Sequence, residues 1–243
     1  MLVKSVIKDI QSLALKKYRD QTGHYLAEGP KLVAELLQFH RDLIVSLYAL
    51  PEWIDMHQKS LEGITVVGID EKDLARISQL QTPHQVVAVL RQPQQMVPTA
   101  LGQFTIACCG LQDPGNLGTI IRTADWFGVR QLVCSPDTVD CFNPKVVQAS
   151  MGSVFRVKLY YTALEQWIDL SGSIPVLAAT MQGTDVRSMH PLPEAVLLIG
   201  NESAGIPASL LQRATHVVAI PGKGSVESLN AAVATGIILS YLR

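Results

Sequence analysis

The chain has 243 residues, 48% hydrophobic and 17% charged, with a formal net charge of −1. That composition describes a well-buried globular protein of one large or two small domains and excludes a disordered chain. Lys4, Lys8 and Asp9 interrupt any signal-peptide core, and no run approaches the roughly eighteen apolar residues that cross a bilayer, so a cytoplasmic protein without a membrane partner is expected. The cysteines at 108, 109, 134 and 141 lack metal-ligand spacing and the histidines show no i, i+4 pair; no metal is expected, and buried free thiols account for the cysteines. The net charge argues mildly against nucleic acid, which is bound through lysine and arginine. Residues 1–20 nevertheless carry Lys4, Lys8, Lys16, Lys17 and Arg19 against Asp9 and Asp20, a local basic excess that an ordinary solvated helix face would also show.

In chain order, Val6, Ile10 and Leu13 recur at helical spacing and predict one amphipathic helix from Val3 to Tyr18. A strand or loop follows over Gly23 to Pro30, with Pro30 in the first turn of a helix carrying Leu32, Val33, Leu36 and Leu37. Leu43–Ala49 reads as a strand, Glu52–Lys59 as a helix and Ile64–Ile69 as a strand; Asp70 and Asp73 cap a helix from Leu74 to Leu80, and Gln85–Arg91 is a last strand. Residues 1–92 thus form a small α/β domain. The aperiodic stretch rich in proline and glutamine at 93–100 is a linker, and 101–243 a second domain. There, strands at 104–109, 131–134, 154–159, 176–180, 196–199 and 217–220 alternate with helices at 119–127, 145–149, 163–170, 208–213 and beyond 230, the pattern of a mostly parallel sheet covered on both faces.

Three loops follow strands of this second domain. In the first, Asp113-Pro114-Gly115 is turn chemistry, Asn116 lies ahead of a helix, and Arg122 offers a planar fork for phosphate or carboxylate; a capping Asn and a surface Arg would look the same. The second runs Gly200-Asn201-Glu202-Ser203-Ala204-Gly205 from a strand end. The third, Ile220-Pro221-Gly222-Lys223-Gly224-Ser225-Val226-Glu227-Ser228-Leu229-Asn230, leads from a β-branched strand to Ser228, a plausible N-cap, and then to the apolar helix 231–242. This third loop fits neither the Walker pattern nor the dinucleotide Gly-x-Gly-x-x-Gly. The last helix is apolar on nearly all sides, which calls for burial by its own domain and by a partner subunit.

Together the loops resemble the three motifs of the SpoU (TrmH-like) branch of the SPOUT superfamily, the S-adenosylmethionine-dependent RNA ribose methyltransferases. Asp113, Pro114, Asn116, Gly118, Ile120, Arg122, Thr123 and Ala124 match the first motif; Gly200, Glu202 and Gly205 the second; Ile220, Pro221, Gly224, Ser228, Leu229, Asn230 and Ala234 the third. Gly222 departs from the methionine usual in the family. The resemblance implies an α/β SPOUT domain with a deep trefoil knot, paired through its C-terminal part as a homodimer. It also implies an N-terminal RNA-binding domain resembling a ribosomal protein. The cofactor would be S-adenosyl-L-methionine, held at the backbone of Gly200, Ile220 and Leu229, with Asn116, Arg122, Glu202, Ser228 and Asn230 on the reaction side. The substrate would be a ribose 2′-hydroxyl of structured RNA, ribosomal rather than transfer RNA because of the extra domain. A transfer RNA enzyme, a methyltransferase acting on a base nitrogen and an inactive RNA-binding module of the same fold stay open. Because a guanidinium is effectively always protonated, Arg122 is expected to anchor a phosphate rather than act as general base.

Overall fold

A computed structural model gives the fold and describes residues 1–93 and 100–243. Residues 94–99 of the expected linker lie outside the described residues. The chain divides into two compact units, Met1–Gln94 with Phe142–Gly152, and Gln95–Cys141 with Ser153–Arg243.

The first unit is built from α1 (Lys4–Ser12), α2 (Lys16–Thr22), β1 (His24–Glu28), α3 (Pro30–Phe39), β2 (Ile44–Ala49), α4 (Pro51–His57), β3 (Val66–Gly68), α5 (Glu71–Ile77) and β4 (Val86–Arg91). The sheet order is β1-β4-β2-β3; β4 runs antiparallel to both neighbours, and β2 and β3 are parallel. α3 starts with Pro30 in its first turn and buries Leu32, Val33, Leu36 and Leu37, each worth about 1.5–3 kcal/mol when fully removed from water. Asp70 caps α5 by accepting from the Asp73 N–H at 2.8 Å, so that helix begins at Glu71, three residues earlier than expected.

The single helix expected over 3–18 is two helices. Leu15 is extended, and the Arg19 guanidinium, 1% exposed, folds back to donate to the carbonyls of Leu13 at 2.8 Å and Ala14 at 2.9 Å. It satisfies acceptors freed where α1 stops. The break carries no glycine or proline, so periodicity alone runs straight through it. Arg19 therefore leaves the exposed basic set, and Lys16 is paired with Asp20 at 2.7 Å; Lys4, Lys8 and Lys17 are exposed.

The second unit contributes β5 (Phe104–Cys108), α6 (Pro114–Trp126), β6 (Gln131–Cys134), then, after the excursion holding α7 (Pro144–Ser150), β7 (Lys158–Tyr161), α8 (Leu164–Asp169), β8 (Val176–Asp185), β9 (Ala195–Ile199), α9 (Ala208–Leu211), β10 (His216–Ala219) and α10 (Ala231–Leu242). Its six strands are all parallel, in the order β10-β8-β9-β5-β6-β7. β5 and β9 are buried throughout, as central strands covered on both faces must be. Several features differ from expectation. A short 3-10 turn, Ser153–Phe155, takes the start of the strand expected at 154. β8 runs on to Asp185 and bulges against β10, where Val217 pairs with Ala178 but Val218 with Thr184. α7 belongs to the first unit, where it lies against β1 and Phe142 meets Tyr25 with ring centroids 4.5 Å apart. All four cysteines are buried. Among the described residues no helix is long and apolar enough to cross a membrane.

Candidate active site

The loops leaving β5, β9 and β10 converge at the carboxyl ends of the parallel strands. Asp113 is the N-cap of α6, accepting from the Asn116 N–H at 2.8 Å with Pro114 next in line. Asn116 therefore sits in the first turn of the helix, not in a loop ahead of it; α6 starts five residues before the expected Thr119 because Asp-Pro is itself a cap followed by a favoured first residue.

After β9 the chain makes a closed turn. The main chains of Asn201 and Gly205 bond to each other in both directions, at 3.0 and 2.9 Å. Asn201 Oδ1 accepts from the N–H groups of Ser203 and Ala204 at 2.8 and 2.9 Å, while its Nδ2 donates to the Gly110 carbonyl at 2.6 Å. This asparagine, which motif matching did not single out, fastens the second loop to the first; its signal was an Asx-turn residue after a strand. Gly200 is required by the closure, since a Cβ there would lie 2.5 Å from the Gly205 carbonyl carbon. Glu202 is held exposed on this turn.

The third loop ends at Asn230, not Ser228, as the cap of α10. Asn230 Oδ1 accepts from the N–H groups of Ala232 at 2.9 Å and Val233 at 3.2 Å, a geometry available to the residue directly before the helix. Its oxygen being committed, Asn230 turns Nδ2 to Asn116 Oδ1 at 2.8 Å. Asn116 then has only its Nδ2 to offer, and this donates to Glu202 Oε1 at 2.6 Å. The amide orientations follow from the main-chain donors at one end and the carboxylate at the other. Three side chains, from the first turn of α6, the turn after β9 and the cap of α10, thus form one directed hydrogen-bond relay ending on a carboxylate whose second oxygen accepts no hydrogen bond from the described residues.

The other expected residues stand apart from the relay. Ser228 is exposed, and Arg122 is exposed on α6, six residues beyond Asn116. That is about 9 Å along the axis and about 240° around it, on a different face. Ile220 is half-buried at the end of β10 and Leu229 is 51% exposed. Among the described residues, no main-chain hydrogen bond engages Gly200, Ile220 or Leu229.

The profile of the SpoU rRNA methylase family matches residues 103–240, the span that carries all three loops. The chain belongs to this family. A second profile, the MRM3-like substrate binding domain, matches residues 4–88. Among curated relatives, the 23S rRNA (guanosine(2553)-2′-O)-methyltransferase RlmP of Bacillus subtilis is 32% identical over 98% of this chain and 95% of its own length. Among solved structures, a TrmH-family protein from Porphyromonas gingivalis superposes with a TM-score of 0.88 at 37% identity, covering 100% of this chain and 98% of the other. An AdoMet-bound rRNA methyltransferase from Sinorhizobium meliloti gives 0.86 at 34% identity, covering 98% and 94%.

Proposed function

We propose that this SpoU-family chain transfers a methyl group from S-adenosylmethionine to a ribose 2′-hydroxyl of structured ribosomal RNA. The observation that carries the reading is the Glu202–Asn116–Asn230 relay, which joins all three motif loops at the carboxyl ends of the sheet. The rRNA 2′-O-methyltransferase relative that matches nearly the whole chain supports the substrate class.

The residues present fit the cofactor. Gly200 leaves the β9 end without a side chain, the main-chain groups of Gly200, Ile220 and Leu229 are uncommitted among the described residues, and the Ile220 and Leu229 side chains offer apolar surface for an adenine. When bound, adenosylmethionine supplies an electrophilic methyl on a sulfonium, which departs as a neutral thioether. The chain's part is to orient the ribose, and positioning alone can remove roughly 7–11 kcal/mol of barrier. Asn116, locked by Asn230, holds Glu202 so that its open oxygen accepts the hydrogen bond of the 2′-hydroxyl and takes its proton as the hydroxyl oxygen attacks the methyl. Arg122, on the outward face of α6, anchors a neighbouring phosphate through its fork.

The finer architecture belongs to the same proposal. The C-terminal segment forms a deep trefoil knot around the cofactor, and the N-terminal unit is a ribosomal-protein-like RNA-binding domain. Two chains pair through α10, whose Val233, Ile237 and Tyr241 lie at i, i+4, i+8 with Val233 51% and Tyr241 42% exposed. The enzyme works in the cytoplasm.

The test is to map ribose methylation on total RNA from cells with and without the gene, and to repeat it with purified enzyme and adenosylmethionine. A single gene-dependent rRNA position that resists alkaline cleavage is expected. A mark on a base nitrogen, a mark on transfer RNA only, or no mark at all refutes the reading.

A further inference from the structure

The second unit holds a cleft that none of the proposed cofactor or reaction-side residues lines. It measures about 390 Å³ and opens outside the carboxyl ends of β9, β5 and β6. β5 and β9 are neighbours, yet the chain leaves β5 toward β6 on one side and β9 toward β10 on the other. In open α/β sheets such a switch point is where ligands settle.

The lining says what kind. Leu164 and Leu210 give apolar walls, Asn201 and Gly205 form the side shared with the turn that carries Glu202, and Asp137 and Glu165 bring two carboxylates. Ser209 donates to Glu165 Oε1 at 2.7 Å and holds that carboxyl below the ordinary carboxylate range. Asp137 is exposed, and no donor among the described residues reaches its carboxylate. It lies across Gly110, where a Cβ would come within 2.9 Å of Asp137 Oδ2; with φ at +65°, glycine keeps that approach open. A phosphate is repelled by such a lining, whereas a planar group with adjacent N–H donors is matched.

We propose that this cleft receives the base of the nucleotide to be methylated, and that the base is guanine, its N1–H and N2–H paired with the Asp137 carboxylate. Guanine alone presents two neighbouring donors on its pairing edge; adenine and cytosine pair one donor with an acceptor, and uracil flanks its N–H with two carbonyls. Asn201, in the cleft lining, directly precedes Glu202, and the proposal sets the ribose of a base held in the cleft on the Glu202 side. The inference rests on the methyltransferase reading above.

The experiment uses the full-length protein and rRNA from cells lacking the gene. The modified position is mapped with wild-type enzyme, then kcat/KM and adenosylmethionine affinity are measured for Asp137→Asn, with melting temperature as the folding control. The expected mark is on a guanosine. Asp137→Asn should lower kcat/KM by about 10- to 100-fold, the scale of one bidentate base contact, with cofactor affinity unchanged. Inosine at the mapped position, which lacks the N2 amine, should slow the wild type but not slow Asp137→Asn further. A mark on any other nucleotide, a variant within twofold of wild type, or a variant that loses cofactor affinity overturns this inference while leaving the methyltransferase reading intact. Absence of any mark from the wild type defeats both.

Discussion

Asn230 serves helix and relay with different atoms of one side chain, so two substitutions separate the roles. Asn230→Ala removes both: the cap is worth about 1 kcal/mol, which in a chain of this size lowers the melting temperature by about 2–4 °C. Asn230→Asp keeps an oxygen for the N–H groups of Ala232 and Val233 and adds a negative charge at the N-terminus of α10, favourable by roughly 0.3–1 kcal/mol. Its second oxygen, however, now meets Asn116 Oδ1, where Nδ2 used to donate. Asn116 must rotate its amide, presenting oxygen to Glu202 and losing the charge-assisted bond. Such bonds contribute about 1.5–3 kcal/mol, so loss of its orienting effect should lower turnover by about 10- to 150-fold. Calorimetry and single-turnover methylation on the mapped RNA read the two effects. Wild-type stability with strongly reduced turnover is expected for Asn230→Asp. Full turnover in that variant would show that the relay has no part in the reaction.

Arg122→Lys keeps the charge but loses the fork; RNA affinity and turnover should fall moderately with adenosylmethionine affinity unchanged, and a displaced alkaline limb of the pH–rate profile would instead mark Arg122 as the base. Tyr241→Asp, on the exposed stripe of α10, should convert a dimer to a monomer in sedimentation at micromolar concentration, and a monomeric wild type refutes the pairing. Glu28, 5% exposed, has its carboxyl raised above 4.5 by burial, against the opposing hydrogen bonds from the Ser78 hydroxyl and the Gln79 N–H. The native state holds this proton more tightly than the unfolded chain, so stability present below 4.5 is lost as the pH rises from there through the raised value. The melting temperature of the wild type should fall relative to that of Glu28→Gln across this interval; a constant difference from about pH 4 to about pH 8 refutes the coupling.

Much of the fold was readable where apolar spacing and local chemistry agree. The buried set Leu32, Val33, Leu36 and Leu37, the Asp70 cap and the strands from β4 to β6 all carry both signals. The break between α1 and α2 was hidden because its cause is a long-range reach by Arg19 rather than a breaker residue. Asn116 and Asn230 were identified by motif but misplaced in position, Asn116 being expected ahead of the helix and the cap of the last helix at Ser228. Asp113-Pro114 does announce a helix start, whereas the choice of Asn230 over Ser228 as cap depends on where α10 begins, which its continuous apolar composition does not mark. Asn201 was seen at the strand end, but its fastening role was not legible because that work is done on main-chain groups that a sequence shows only as neighbours.

The membership of Phe142–Gly152 in the first unit bears on how such proteins can be recombined. The family profile over 103–240 treats that segment as part of the methyltransferase, yet its α7 lies against β1, with Val146 and Val147 buried. The boundary between sequence modules is therefore not a boundary of packing. A swap of N-terminal domains between relatives at the residues joining the two profiles would carry away the surface that covers α7, leaving Val146 and Val147 to a foreign partner. Functional chimeras require the apolar face of α7 to be exchanged together with the domain it packs against, and a chain relieved of its first ninety residues needs polar replacements at those two positions to stay soluble.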